Sequence, residues 1–208
     1  MARHDINAEI FYGVRAISPP PLRIRVPHRQ QSADVRRLLG DLSARVPAPY
    51  PESEERHSLS HSRGVAAAAI AHHGRVGIDV EYMCPRRDMH AMLEAFLGPM
   101  HKRMPPAVCY RVWTFGEAYF KAFGSLPGGK ILGHVIDRPP DDGLYQLVRP
   151  VGAAVGVLHS QPFNEFALTV VWDMAEIAGA PNRPPALLLS GGLPDAGDTE
   201  SKHHSRSQ

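Results

Sequence analysis

The chain has 208 residues, 43% hydrophobic and 21% charged, which suits one compact domain or two small ones and excludes a wholly disordered chain or a coiled coil. Its 23 basic and 21 acidic residues nearly cancel, to +2, so it lacks the basic excess of a mainly electrostatic nucleic-acid binder. The 18 Gly and 20 Pro exceed ordinary usage and predict loops and a locally unstructured segment.

Ile10, Tyr12 and Val14 alternate along the chain, as do Leu22, Ile24 and Val26 beyond the Pro19-Pro20-Pro21 break, so two short strands are expected. Over 33–46, Val35, Leu38, Leu39, Leu42 and Val46 recur at helical spacing, with Pro47 as the stop. Segments 65–71 and 75–81 read as a hairpin turning at His73-Gly74. Helices are expected over 89–100, broken near Gly98-Pro99, and over 108–123, ended by Gly124 and Pro127. Segments 146–158 and 164–172 carry the β-branched and aromatic content of late strands. From Gly179 onward there are 4 Gly, 4 Pro, 4 Ser and no aromatic residue, which predicts a disordered tail over 179–208. This mixture of strands and helices points to an α+β fold.

The longest apolar run, 65–71, falls far short of the ~20 residues that span a bilayer. The start, Met1-Ala-Arg-His-Asp, has no signal-peptide core, and Cys84 and Cys109 form no Cys-x-x-Cys pair. A soluble, cytoplasmic protein without a membrane or nucleic-acid partner is expected.

In Arg75-Val-Gly-Ile-Asp-Val-Glu81, a period of two puts Val76, Ile78 and Val80 on one face of a strand and Gly77, Asp79 and Glu81 on the other. Two residues of rise separate the carboxylates by about 7 Å at Cβ, near enough to converge on one hard cation such as Mg²⁺. Gly77 would keep that face open. The plainer alternative is an edge strand with a solvated acidic face.

In Trp113-Thr-Phe-Gly-Glu-Ala-Tyr-Phe-Lys-Ala-Phe-Gly124, helical spacing puts Glu117 on the face of Trp113, Phe120 and Gly124. A carboxylate on that apolar face needs a partner. Lys121 at i+4 could supply a surface ion pair worth only ~0.5 kcal/mol. Such a pair would not explain Gly116, since glycine inside a helix costs ~1 kcal/mol relative to alanine. Gly116 indicates close approach by a ligand or the loss of a former side chain.

Ser58-Leu-Ser-His-Ser-Arg-Gly64 reads as a polar turn before a strand, whose hydroxyls, amides, His61 and Arg63 could face an anion. The remaining histidines show no zinc-ligand spacing. Arg36 flanks the apolar stripe of the 33–46 helix, from where a guanidinium reaches a neighbouring groove.

Taken in this order, the chain resembles the 4′-phosphopantetheinyl transferases, specifically the long pseudodimeric branch that activates carrier proteins of nonribosomal peptide and polyketide synthases. The resemblance covers about residues 33–172. It rests on Gly77-Ile-Asp-Val-Glu81, on Trp113-Thr-x-x-Glu117-Ala-x-x-Lys121, on Ser58-Leu-Ser-His61-Ser, and on Arg36-Arg-Leu-Leu-Gly-Asp41.

The resemblance implies two similar α+β halves about a pseudo-twofold axis, with a truncated N-terminal half over 1–82, a C-terminal half over 83–178, and the tail beyond. It implies that Asp79, Glu81 and Glu117 bind Mg²⁺, that Lys121 contacts phosphates, that Arg36 and His61 hold the 3′-phosphate end of coenzyme A, and that Ser60 also binds coenzyme A. Glu117 is the candidate base, and Lys121 shares the catalytic role. The implied partner is an apo acyl or peptidyl carrier protein, modified on a serine by a monomeric enzyme.

Three departures stand out. Gly116 replaces the family's lysine before the metal-binding glutamate. The family's Phe-x-x-x-x-Glu segment is matched best by Phe96-Leu-Gly-Pro-Met-His101, which lacks the acid, and the Gly-Lys-Pro element has no counterpart over 47–57. These departures imply reduced activity, or alternatively a degenerate homologue that binds coenzyme A or carrier protein without turnover.

Overall fold

The computed structural model describes residues 10–17, 27–46, 56–98, 104–138, 143–148, 154–163, 165–174 and 186–191. The fold is α+β, with eight strands in two sheets and four helices among the described residues. The first sheet has the order β2 (His57–Ser62), β3 (Val65–Ala71), β1 (Ile10–Ala16), β8 (Ala186–Gly191). The second has the order β4 (Val76–Tyr82), β7 (Phe166–Met174), β6 (Ala154–Ser160), β5 (Gly143–Val148). All pairs are antiparallel except β1–β8, which is parallel.

Side-chain alternation along the strands sorts the core into layers. On one face of the first sheet, Phe11, Ala66, Ala68 and Ile70 pack with Val35, Leu38 and Leu42 of α1 (His28–Ser43). On the other, Ile10, Tyr12, Val14, Val65, Ala67, Ala69 and Ala71 meet Val76, Ile78, Val80, Phe166, Leu168 and Val170 of the second sheet. The outer face of the second sheet packs on α2 (Met89–Leu97), α3 (Pro106–Phe123) and α4 (Gly129–Asp137). The result is helix on sheet on sheet on helices.

Every residue of β3 is buried, five of its seven being alanine. Small side chains on both faces let α1 and the second sheet approach from opposite sides. Both edges of β3 are taken, by β1 and β2, so the hairpin expected between 65–71 and 75–81 does not form. The chain instead crosses to the second sheet through residues 72–75, with Gly74 at φ +69°, and β4 pairs with β7. The divide between the two sheets therefore falls before β4.

α1 starts at His28, ahead of the expected start at 33, because His28-Arg-Gln-Gln-Ser32 carries no apolar marker. α3 runs as expected to Gly124, whose left-handed φ of 67° lets its N–H reach the Phe120 carbonyl. α4 was not anticipated, since Gly128, Gly129 and Gly133 mask the stripe of Ile131, Leu132 and Val135.

Residues 58–62, expected as a polar turn, are strand β2, with the turn confined to Arg63 and Gly64. Residues 186–191, placed in a disordered tail, form β8, where an Ala-Leu-Leu-Leu run pairs with β1. The rest of that tail, the strand expected around Leu22, Ile24 and Val26, and the connection over 47–55 lie outside the described residues. No helix among those described is long and apolar enough to cross a membrane.

Candidate functional site

The site begins with a close packing of β4 on α3. A Cβ at Gly77 would strike the Ala118 carbonyl and crowd the Ala122 nitrogen, so glycine lets the helix backbone rest directly on the strand. Gly77 does not open the face to a ligand; it seats α3. Two residues on, Asp79 lies beneath the helix with its side chain only 8% exposed, which excludes the solvated acidic face.

Lys121, one turn from the end of α3, reaches back to β4. Its Nζ lies 2.7 Å from Asp79 Oδ1 and donates to the Ile78 carbonyl at 3.1 Å. It pairs with Asp79, and not with Glu117 as i+4 spacing alone would suggest.

β2 holds β4 from the other side. β4 is the edge of its sheet, and an edge strand presents backbone donors that need partners. Serines supply them: Ser58, Ser60 and Ser62 Oγ accept from the N–H groups of Ile78, Val80 and Tyr82 at 3.0, 3.2 and 3.0 Å. Two of these hydroxyls also donate, Ser60 to Asp79 Oδ1 at 2.8 Å and Ser62 to Glu81 Oε2 at 2.9 Å. The Ser-x-Ser-x-Ser period of β2 thus matches the period of β4 and fixes both carboxylates. Arg87 approaches Glu81 Oε2 at 3.5 Å.

A cavity of about 370 Å³ opens between α1, β2, β4 and α3, lined by Ser32, Val35, Arg36, Leu59, Ser60, His61, Asp79 and Lys121. The structure thus brings Arg36, Ser60, His61, Asp79 and Lys121 together. The Ser60 hydroxyl is engaged with β4 and Asp79, so it positions the carboxylate. Arg36, His61 and Lys121 face one carboxylate, and Lys121 already pairs with it. Burial, and then the neighbouring His28, hold the His61 imidazole below its ordinary pKa.

The three acids respond to burial in one direction. Burial raises the carboxyl pKa of Asp79, against the pull of Lys121 and Ser60. It raises Glu81, against Ser62 and Arg87, and Glu117, and the charge of Asp79 raises both further. Asp79 Oδ2 is buried with no hydrogen-bond partner. An orphaned carboxylate oxygen is a donor of the kind a hard divalent cation takes, but Glu81 and Glu117 do not line the cavity beside it. Among the described residues, however, no group of three or more His, Cys, Asp or Glu side chains is drawn together as a metal site. Ser60 and Lys121 hold Asp79, while Ser62 and Arg87 hold Glu81.

Three contributors escaped the sequence reading. Ser62 was only part of a polar motif, although its two-residue offset from Ser60 mirrors that of Glu81 from Asp79. Ser32 lies one turn before Arg36 on α1 and lines the same cavity. His28 sits at the start of α1 with its ring edge-on to His61, centroids 5.1 Å apart. Gly116 is buried within α3, and residues 99–101, where the resemblance places the family's extra acid, lie outside the described residues.

No family model matches the chain. It is similar to the 4′-phosphopantetheinyl transferase HetI of Nostoc sp., 32% identical over 83 residues, which covers 36% of this chain and 35% of that protein. The match thus spans about a third of the length of the curated relative. This partial similarity supports a relationship to the 4′-phosphopantetheinyl transferase superfamily.

Proposed function

We propose that the protein transfers 4′-phosphopantetheine from coenzyme A to a serine of an apo acyl or peptidyl carrier protein, in the reducing cytoplasm, with Mg²⁺ as cofactor. The observation that carries this reading is the cavity lined by Arg36, His61, Lys121 and Asp79, the last with a buried Oδ2 that has no hydrogen-bond partner. Excess positive charge beside an unpartnered carboxylate oxygen suits a phosphate-bearing ligand brought in with a cation. The two back-to-back sheets, one with α1 and the other with α2, α3 and α4 on its outer face among the described residues, support the two-half architecture of the pseudodimeric branch.

Asp79, Glu81 and Glu117 would hold the Mg²⁺, which supplies charge neutralisation on the pyrophosphate. Arg36 and His61 would hold the 3′-phosphate end. In the transfer, the carrier serine oxygen bonds to the β-phosphorus, and the bond from that phosphorus to the bridging oxygen breaks. Adenosine 3′,5′-bisphosphate leaves with that electron pair. Glu117 would accept the serine proton, a role suited to a carboxyl whose proton affinity burial and Asp79 have raised.

A second reading is a homologue that binds coenzyme A or carrier protein without turnover. It is favoured by the engagement of Asp79 with Lys121 and of Glu81 with Arg87, where a preassembled metal site would leave both free. Intact-mass spectrometry of apo carrier proteins incubated with the protein, coenzyme A and Mg²⁺ separates the two. A gain of one phosphopantetheine that EDTA removes supports the transferase. No gain, with coenzyme A bound in calorimetry, supports the second reading.

A further inference from the structure

Resting on that reading of the cavity as a coenzyme A site, we propose that His28 is a second imidazole of the wall that receives the nucleotide's terminal phosphate. A phosphate there would be held by His28 and His61 together. The two rings stand edge to face, 5.1 Å between centroids and 77° between planes. His61 lines the cavity, as does Ser32, whose Oγ lies 3.4 Å from His28 Nδ1, one helical turn away. His28 thus touches two residues of the same wall.

The charge balance favours this role over simple ring packing. Among the described residues lining the cavity, Arg36 and Lys121 are cationic, and the one carboxylate, Asp79, is bound to Lys121. The charge of His28 opposes protonation of His61. Two imidazoles in contact, with no carboxylate left to share among the described cavity residues, form an arrangement that a phosphate dianion satisfies by accepting from both. The end of α1 adds to it. The helix starts at His28 with no side-chain cap and no acidic residue in its first turn, so its positive dipole end is not neutralised from within the helix.

The test compares binding of coenzyme A and of 3′-dephospho-coenzyme A by calorimetry, in the full-length wild type and in His28→Ala, His28→Phe and His28→Lys. The wild type is expected to bind coenzyme A more tightly than the dephospho form. His28→Ala should reduce affinity for coenzyme A by about tenfold, the loss of one charge-assisted hydrogen bond, with dephospho-coenzyme A unaffected. His28→Phe keeps a ring against His61 and should lose discrimination like alanine, whereas His28→Lys should retain most of it.

Unchanged discrimination in His28→Ala, or its rescue by phenylalanine, would overturn the proposal and leave the coenzyme A site standing. Equal wild-type binding of the two nucleotides would also overturn it. Binding of neither by the wild type would bring down the coenzyme A reading, and the proposal with it.

Discussion

The Ser60 hydroxyl lies 2.8 Å from Asp79 Oδ1 and joins two sheets that share no backbone ladder. The same oxygen accepts the Val80 N–H, so one side chain both closes the edge of β4 and aims its buried acid. Ser62 repeats this with Tyr82 and Glu81, and Ser58 performs only the first half, with Ile78. The candidate site is therefore built into the seam between the sheets.

This difference between Ser58 and Ser62 separates stability from metal binding. Ser62→Ala leaves Glu81 to Arg87 alone, and the Tyr82 N–H without its acceptor; besides its own stability cost it should lower Mg²⁺ affinity about 10- to 100-fold, as loss of a partner that orients a ligand typically does. Ser58→Ala orphans the buried Ile78 N–H and should cost about 1–3 kcal/mol of stability, with Mg²⁺ affinity unchanged. Urea denaturation and Mg²⁺ titration of both variants check the pair, and equal Mg²⁺ affinities would count against the positioning role.

The acids make metal-free stability depend on pH in a definite direction. Asp79, Glu81 and Glu117 all have folded pKa values above their ordinary 3.8 and 4.5. Such groups contribute stability below the ordinary value and lose it as pH rises through the folded value. As pH rises the metal-free fold therefore carries a growing cost at these groups, which a bound cation would offset. Mg²⁺ at about 100 times its Kd adds ~2.7 kcal/mol, which should raise Tm by about 5–10 °C. The rise should be smaller at pH 5 and absent in Asp79→Asn, as read by differential scanning calorimetry.

The helix seat at Gly77 sets a steric limit. Gly77→Ala drives a methyl into the α3 backbone at Ala118 and Ala122, and neither the strand nor the helix has a side chain to move aside. A loss of about 3 kcal/mol is expected from overpacking of this kind, and an unchanged urea midpoint would contradict the packing account.

Beneath α3, His159 shares hydrogen bonds with Tyr145 and Thr169 at 2.7 and 2.8 Å, and Thr169 bonds Thr114 at 2.7 Å. Burial, helped by Arg111 and Arg138, pushes its pKa down from 6.5 to about 3. A depressed folded value means that its contribution is full above about pH 6.5 and is lost as pH falls toward 3. His159→Gln should be less stable at pH 7 and show a flatter fall between pH 6.5 and 4, measured by urea midpoints. An equally steep fall would show that other groups control acid unfolding.

Much of this was legible where one period dominated. The stripe of Val35, Leu38 and Leu42 gave α1, the alternation at Val76, Ile78 and Val80 gave β4, and Gly124 gave the end of α3. Of the motif residues, Arg36, Ser60, His61, Asp79 and Lys121 line one cavity, whereas Glu81 and Glu117 are not among its lining residues. What escaped depended on contacts between distant segments. Ser58, Ser60 and Ser62 look like turn residues because hydroxyls are poor strand markers, and only the exposed donors of β4 give them a strand's role. Lys121 could be placed one turn from Glu117 by counting, but its choice of Asp79 follows from the seat at Gly77, which no local pattern encodes.

The most direct measurement is intact-mass spectrometry of apo carrier protein incubated with coenzyme A, Mg²⁺ and, side by side, the wild type, Asp79→Ala and Glu117→Ala, each first shown folded by circular dichroism. The account predicts a phosphopantetheine mass gain with the wild type and at least a hundredfold slower gain with either variant, since each removes a proposed ligand and little core volume. Transfer by Asp79→Ala at the wild-type rate would contradict it.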